Sequence, residues 1–367
     1  MKNVLLYGVH SVNLGDDLFF KIIIERYKTT RFILHAPVVY RSIFKNYENC
    51  EVVSNSDLTI KHLGNISKIL HLPASLLLYL YLFVKYKIDV ILIAGGSLFI
   101  EGNSNMPKFI RNIKKISLFF PRIKICIIGS NFGPSTTESW KLSVNNALKN
   151  VDDVCFRDIQ SYKEFSNLKN VRWANDIVMH QNIKCSPIRE KVLCVNIRSV
   201  ENWPTLKPKK TFYLQKTKQI IEGYYTQGYA IKLISFCKKY GDNIITDELY
   251  EMLEYKERVE CLYYEGNLNE CVEVISTADT ILATRFHAII LGLIYGLKII
   301  PISYSIKTEN MLKTLGVWKE IYDYNAYCNA NIEQVLINAI DSFEVDKTNN
   351  KQFDFLDSLY RKIQNRI

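Results

Sequence analysis

Thr284-Arg285-Phe286-His287 stands where a short apolar run gives way to a longer one with helical spacing, and it joins a guanidinium and an imidazole at a helix start. The first backbone N–H groups of a helix have no internal partner and its dipole is positive there, so this junction can hold an anion. Arg285 would add a two-pronged donor suited to phosphate or carboxylate. His287 would supply an acid/base group working on the bound anion. A capping arginine beside a packed histidine fits the same spacing, and both readings stay open. Arg198, at the end of the apolar run 192–197, is either a second anion contact or a solvated surface charge.

A second polar loop, Gly8 to Asp17, follows the apolar run Val4–Tyr7 and precedes a predicted helix from Leu18 to Tyr27. Its G-x6-G spacing departs from the dinucleotide fingerprint, and Asp16 and Asp17 stand where a phosphate would need neutral backbone. These carboxylates can accept hydrogen bonds from sugar hydroxyls or cap the helix, and Asn13 can do either. His10 reads more simply as a hydrogen-bonding loop residue than as an acid/base group.

The elements that must carry these residues alternate. Thr280–Leu282 and Leu297–Ser303 are predicted strands around a helix from Arg285 to Tyr295, with Gly296 as its C-cap. The strand 89–93 ends at Ala94-Gly95-Gly96, where the glycine pair lets backbone approach a ligand. Lys124–Ile128 ends at Gly129, and Arg157-Asp158-x-x-Ser161 opens a short helix. Such alternation calls for parallel sheets with helices on both faces and ligands at the carboxyl ends of the strands. Residues 1–180 are expected to form a first Rossmann-like domain, 181–190 a linker, 191–345 a second domain and 346–367 a C-terminal helix.

A chain of 367 residues, 48% hydrophobic, is long enough for two such cores. The net charge of +10 suits an acidic ligand or an anionic membrane surface. The lysines are scattered and no nucleic-acid-binding motif appears, so no nucleic-acid partner is expected. Nine cysteines without C-x-x-C pairing suggest a reducing cytoplasm and no structural metal. MKNVLLYGV lacks the features of a signal peptide. The apolar core Ala74–Val84 is about half the roughly 20 residues that span a bilayer. It is either a helix buried in a core or, with Lys85 and Lys87 behind it, a peripheral helix on the inner face of a membrane.

Taken in order, N-x-G-D near the first strand, A-G-G-S, I-G-S-N-F-G-P, F-R-D-x-x-S, N-I-R and T-R-F-H-A-x-x-x-G-L-x-x-G resemble the polysaccharide pyruvyl transferase family. The resemblance implies two Rossmann-like domains facing each other in the glycosyltransferase-B manner. It implies phosphoenolpyruvate as donor substrate, with no cofactor or metal, and a cyclic pyruvate ketal formed on a sugar of a cell-surface polysaccharide (capsule or exopolysaccharide) or its precursor, a lipid-linked one included. It assigns Arg198, Arg285, Phe286 and Lys307 to binding and His287 to acid/base catalysis, with Asp16 as a second base or hydroxyl orienter. Asn13, Gly15 and Asp16 would face the acceptor, and Gly95 and Gly96 are substrate-binding candidates from their place at the end of a strand. Asp16-Asp17 and Asn175-Asp176-Ile177 depart from the family pattern and bear on the acceptor. The alternatives are a nucleotide-sugar-dependent glycosyltransferase on the same scaffold and a non-catalytic glycan-binding relative.

Overall fold

Each apolar run read above as a strand forms one in the computed structural model, which describes residues 2–69, 74–102, 105–181, 189–317, 322–341 and 348–364. The chain divides into two compact units. The first comprises Met1–His10, Phe19–His180 and Thr348–Ile367; the second comprises Ser11–Leu18 and Gln181–Lys347. This differs from the expected bounds in two places. The first turn of the helix Leu14–Arg26, with the loop before it, groups with the second unit, and the C-terminal segment groups with the first. The linker expected at 181–190 lies largely outside the described residues.

In the first unit, β1 (Asn3–Gly8), β2 (Arg31–His35), β3 (Cys50–Val53), β4 (Val90–Ala94), β5 (Lys124–Ser130), β6 (Asp153–Phe156) and β7 (Val171–Trp173) form a sheet in the order β3-β2-β1-β4-β5-β6-β7. All pairings are parallel. β4, Val-Ile-Leu-Ile-Ala, is buried at every position, as a strand covered on both faces must be. The C-terminal helix Asp354–Gln364 is tied to this unit by Arg26 Nη2, 2.6 Å from Asp357, and Gln352 donates to the Phe156 and Ala174 carbonyls at 3.2 Å.

The apolar stretch after residue 74 forms the helix Ala74–Tyr86. Leu78, Tyr79, Leu82, Phe83 and Tyr86 belong to the first unit's core, and Lys85 Nζ lies over the rings of Tyr81 and Tyr86. The side chains that motivated a membrane-surface helix are thus the ones that build this core, and Val84 is the large apolar residue of the helix left exposed. Among the described residues no helix is long and apolar enough to cross a membrane.

In the second unit, β8 (Val192–Asn196), β9 (Ala230–Ser235), β10 (Val259–Tyr263), β11 (Thr280–Ala283), β12 (Lys298–Ser303) and β13 (Tyr322–Asp323) run parallel in the order β10-β9-β8-β11-β12-β13. Chain order runs outward in both directions from the β8–β11 pair. That pair is the switch point, where ligands of open α/β sheets gather at the strands' carboxyl ends. Arg198 follows β8, Thr284-Arg285-Phe286-His287 follows β11, and Tyr304 and Lys307 follow β12.

Candidate active site

The turn after β11 is set by Asn196, the fully buried last residue of β8. Its carboxamide donates to the Ile234 carbonyl at 2.8 Å and accepts from the Arg285 amide at 3.2 Å. Its backbone carbonyl accepts from Thr284 N–H at 2.9 Å. The Thr284 hydroxyl shares a 2.6 Å hydrogen bond with the phenol of buried Tyr213. Arg285 is therefore held extended as the N-cap of the helix Phe286–Tyr295, and its side chain makes no capping bond. Gly296 closes that helix at φ +63°, the left-handed conformation expected of its C-cap.

The Arg285 side chain turns elsewhere. Its Nε donates to Asp242 Oδ2 at 2.8 Å and its Nη2 to Oδ1 at 2.5 Å, and both residues are buried. The planar fork expected to grip an anion is thus engaged by a carboxylate at the start of the helix Asp242–Met252. Burial alone would lower the Arg285 pKa, but Asp242 overrides it and the net shift is upward. Arg285 ties the turn that presents His287 to the helix Asp242–Met252 and adds positive charge there.

Arg198 is built differently. Its Cζ lies 4.1 Å from the ring centroid of Tyr304 and 4.8 Å from that of Trp203, and its buried Nε has no hydrogen-bond partner. Stacking on aromatic faces orients a guanidinium and here leaves the Nε donor for a ligand. Lys307, at the start of the helix Ile306–Thr314, holds its ammonium 5.8 Å from the same Tyr304 centroid. The ends of three neighbouring strands thus deliver Arg198, Arg285 with His287, and Lys307.

The loop before the first helix packs on this histidine. Leu14 N–H bonds to the Phe236 carbonyl at 3.1 Å, and Tyr264 O–H donates to buried Asp17 at 2.8 Å. Asn13 caps the helix by accepting from Gly15 N–H at 3.2 Å, and its amide donates to Asp16 at 3.0 Å. A Cβ added to Gly15 would overlap His287 at Nδ1, Cγ and Cβ. The ring is tethered to a helix buried at every position and has little room to retreat. Gly15→Ala is accordingly expected to displace the imidazole and to cost about 1–3 kcal/mol. A lowered urea midpoint together with shifted His287 ring resonances would show it; unchanged resonances would contradict the contact.

Residues 13–306 match the model of the polysaccharide pyruvyl transferase family. The chain belongs to that family. Three solved structures share its fold at low identity: UDP-GlcNAc 2-epimerase of Methanocaldococcus jannaschii (TM-score 0.62, 12% identity, 99% of this chain and 100% of that one), UDP-GlcNAc 2-epimerase of Neisseria meningitidis bound to UDP-GlcNAc (0.60, 11%, 98% and 100%), and Anabaena HepE in complex with UDP and glucose (0.55, 11%, 98% and 100%). These likenesses establish two parallel-sheet α/β domains of the glycosyltransferase-B kind. No curated protein matches the sequence significantly.

Other candidates of this pyruvyl transferase relative lie in the first unit. Gly95 and Gly96 belong to the first unit, where a Cβ on Gly96 would meet the Arg157 guanidinium at 2.7 Å and one on Gly95 would meet Leu98 at 3.0 Å. Close packing therefore accounts for both glycines. Arg157 is buried, bonded to Asp176 at 3.0 Å and to Asn131 at 2.7 Å, which gives Asp176 of the unusual Asn175-Asp176-Ile177 segment a structural task. His10 lies among the rings of Tyr7, Phe20 and Tyr40. Burial lowers its pKa to about 4, as expected of a packed neutral imidazole. Sequence reading missed Asn196, Trp203, Asp242 and Tyr304; the tyrosine at the end of β12, three residues before Lys307, was the legible signal among them.

Proposed function

We propose that this family member transfers the pyruvyl group of phosphoenolpyruvate to a sugar of a cell-surface polysaccharide or its precursor, forming a cyclic pyruvate ketal and releasing phosphate. The observation that carries the reading is the stacked guanidinium of Arg198 beside Lys307, on the strands flanking the one that delivers His287. Fixed positive charge, with the buried Arg198 Nε left without a partner, suits a small, highly charged phosphate ester. The first N–H groups of the helix Phe286–Tyr295 add to it.

In this reaction one sugar hydroxyl adds to the carbon bearing the phosphate as the methylene carbon takes a proton and becomes a methyl group. The second hydroxyl then adds to the same carbon, the C–O bond to phosphate breaks, and its proton leaves with phosphate or solvent. His287 is the acid/base group for these transfers, and Asp16 the residue to orient or deprotonate a hydroxyl.

A nucleotide-sugar transferase is the second reading, because two of the structural neighbours carry UDP-GlcNAc or UDP. Thermal-shift measurement separates the two. At 100 times its Kd a ligand adds about 2.7 kcal/mol, so phosphoenolpyruvate should raise the melting temperature by several degrees while UDP, UDP-GlcNAc and UDP-glucose leave it unchanged. Stabilisation by a uridine nucleotide and none by phosphoenolpyruvate would transfer the assignment.

A further inference from the structure

The amino ends of β4 and β5 lie side by side, with Val90 in register with Lys124. The helices that lead into these strands, Ala74–Tyr86 and Met106–Ser117, therefore come down at the same edge of the first unit's sheet. They meet there through Phe83 and Phe120, whose rings pack edge-on at 5.5 Å. The connection into β5 closes tightly: Phe120 N–H donates to the Ser117 carbonyl at 2.8 Å, and Ile123 N–H to the Phe120 carbonyl at 3.0 Å. Ser117, Phe120 and Ile123 turn inward, which leaves Leu118 and Phe119 standing out, 70% and 78% exposed. Val84, the chain neighbour of Phe83, is 66% exposed at the same edge.

The charges around these side chains have one sign. Lys114 and Lys115 lie in the last turn of their helix, Arg122 follows the exposed pair, and Lys87 follows the other helix. Among the described residues none of the four is in an ion pair. The sequence holds no Asp or Glu from Leu58 to Ile88 or from Gly102 to Thr137. The nearest carboxylates along the chain at this edge are engaged: Asp89 accepts from the Lys2 and Asn3 amides at 2.7 and 3.0 Å, and Asp152 pairs with Lys124 at 2.8 Å. We propose that this edge docks on an anionic lipid surface, with Val84, Leu118 and Phe119 entering the headgroup layer and the basic residues lying against lipid phosphates. A second copy of the chain would set like charges against each other, and a purely polar acidic partner would leave the apolar side chains in water. A leaflet of acidic lipids satisfies both. The helix Ala74–Tyr86 contributes its end and not its apolar face, which belongs to the core. Because parallel strands gather ligands at their carboxyl ends, docking by the amino ends leaves the ligand edge of this sheet uncovered.

The test is flotation of the full chain with vesicles of equal parts phosphatidylcholine and phosphatidylglycerol. At low salt the wild type should rise with them, less so as salt screens the basic residues, and it should stay behind with phosphatidylcholine alone. A basic residue near an acidic leaflet strengthens attachment by about fivefold, so Lys114→Gln, Lys115→Gln and Arg122→Gln together should weaken it by on the order of 100-fold. Leu118→Ser with Phe119→Ser should weaken it by at least about tenfold through lost apolar burial. All five side chains lie outside the core, so both variants should keep the wild-type melting temperature, which separates a lost docking surface from a lost fold. Wild type that ignores the acidic vesicles at low salt would overturn the proposal and leave an acidic protein as the occupant of this edge. Flotation that either variant leaves unchanged would put the lipid contact elsewhere on the chain and overturn it as well.

Discussion

His287→Ala is expected to lower turnover of phosphoenolpyruvate by roughly 100- to 10,000-fold, the range for loss of a general acid/base group, while leaving its binding within a few-fold of wild type. The separation follows from the construction of the site. The anion is to be gripped by Arg198 and Lys307 from β8 and β12, whereas the imidazole comes from the first turn after β11. Removing the ring leaves the Asn196 bonds to Arg285 and Thr284 in place, so the turn keeps its shape. Steady-state release of phosphate, with calorimetry for binding, reads both quantities. A folded variant with near-wild-type turnover would remove His287 from the chemistry. A variant whose turnover is intact but whose binding collapses would make it an anion contact instead.

Local patterns carried the scaffold further than the site. Buried parallel strands such as Val90–Ala94 and Thr280–Ala283 are continuous apolar runs ended by small or polar residues, so their positions follow from the sequence itself. The same logic put Arg198, Arg285 and His287 just after strands, where the structure has them, whereas Lys307 entered only through the family resemblance. What each side chain does there was not legible, because the deciding partner is remote in sequence. Arg285 is bonded to a carboxylate 43 residues upstream. Gly15 packs on His287 from the opposite end of the chain, and contiguity with β1 argued for placing it in the first domain. Gly96 was read as making room for a ligand when the group it makes room for is Arg157. The apolar stretch after residue 74 was ambiguous for another reason: hydrophobicity states that a surface is covered and not whether lipid or protein covers it.

The pairing of Arg285 with Asp242 leads to the largest expected effect on stability. Asp242→Ala leaves a guanidinium buried without its counter-charge, and breaking such a pair from one side costs about 3–5 kcal/mol. The aspartate also accepts from the Ser199 amide at 3.4 Å and lies in the first turn of its helix, where a negative charge is favourable. Asp242→Asn keeps the shape and removes the charge, and should fall between wild type and Asp242→Ala. The decisive comparison is the double variant Asp242→Ala with Arg285→Met. If the penalty is the uncompensated charge, removing the charge as well should recover stability, so the double variant is more stable than Asp242→Ala alone. Urea unfolding of the four proteins measures this, with the same slope required before midpoints are compared. Equal midpoints for Asp242→Ala and the double variant would mean the loss came from packing or the helix start. Recovered stability with turnover still depressed would show that the pair exists to hold the turn beneath His287, at a cost an apolar pair would avoid.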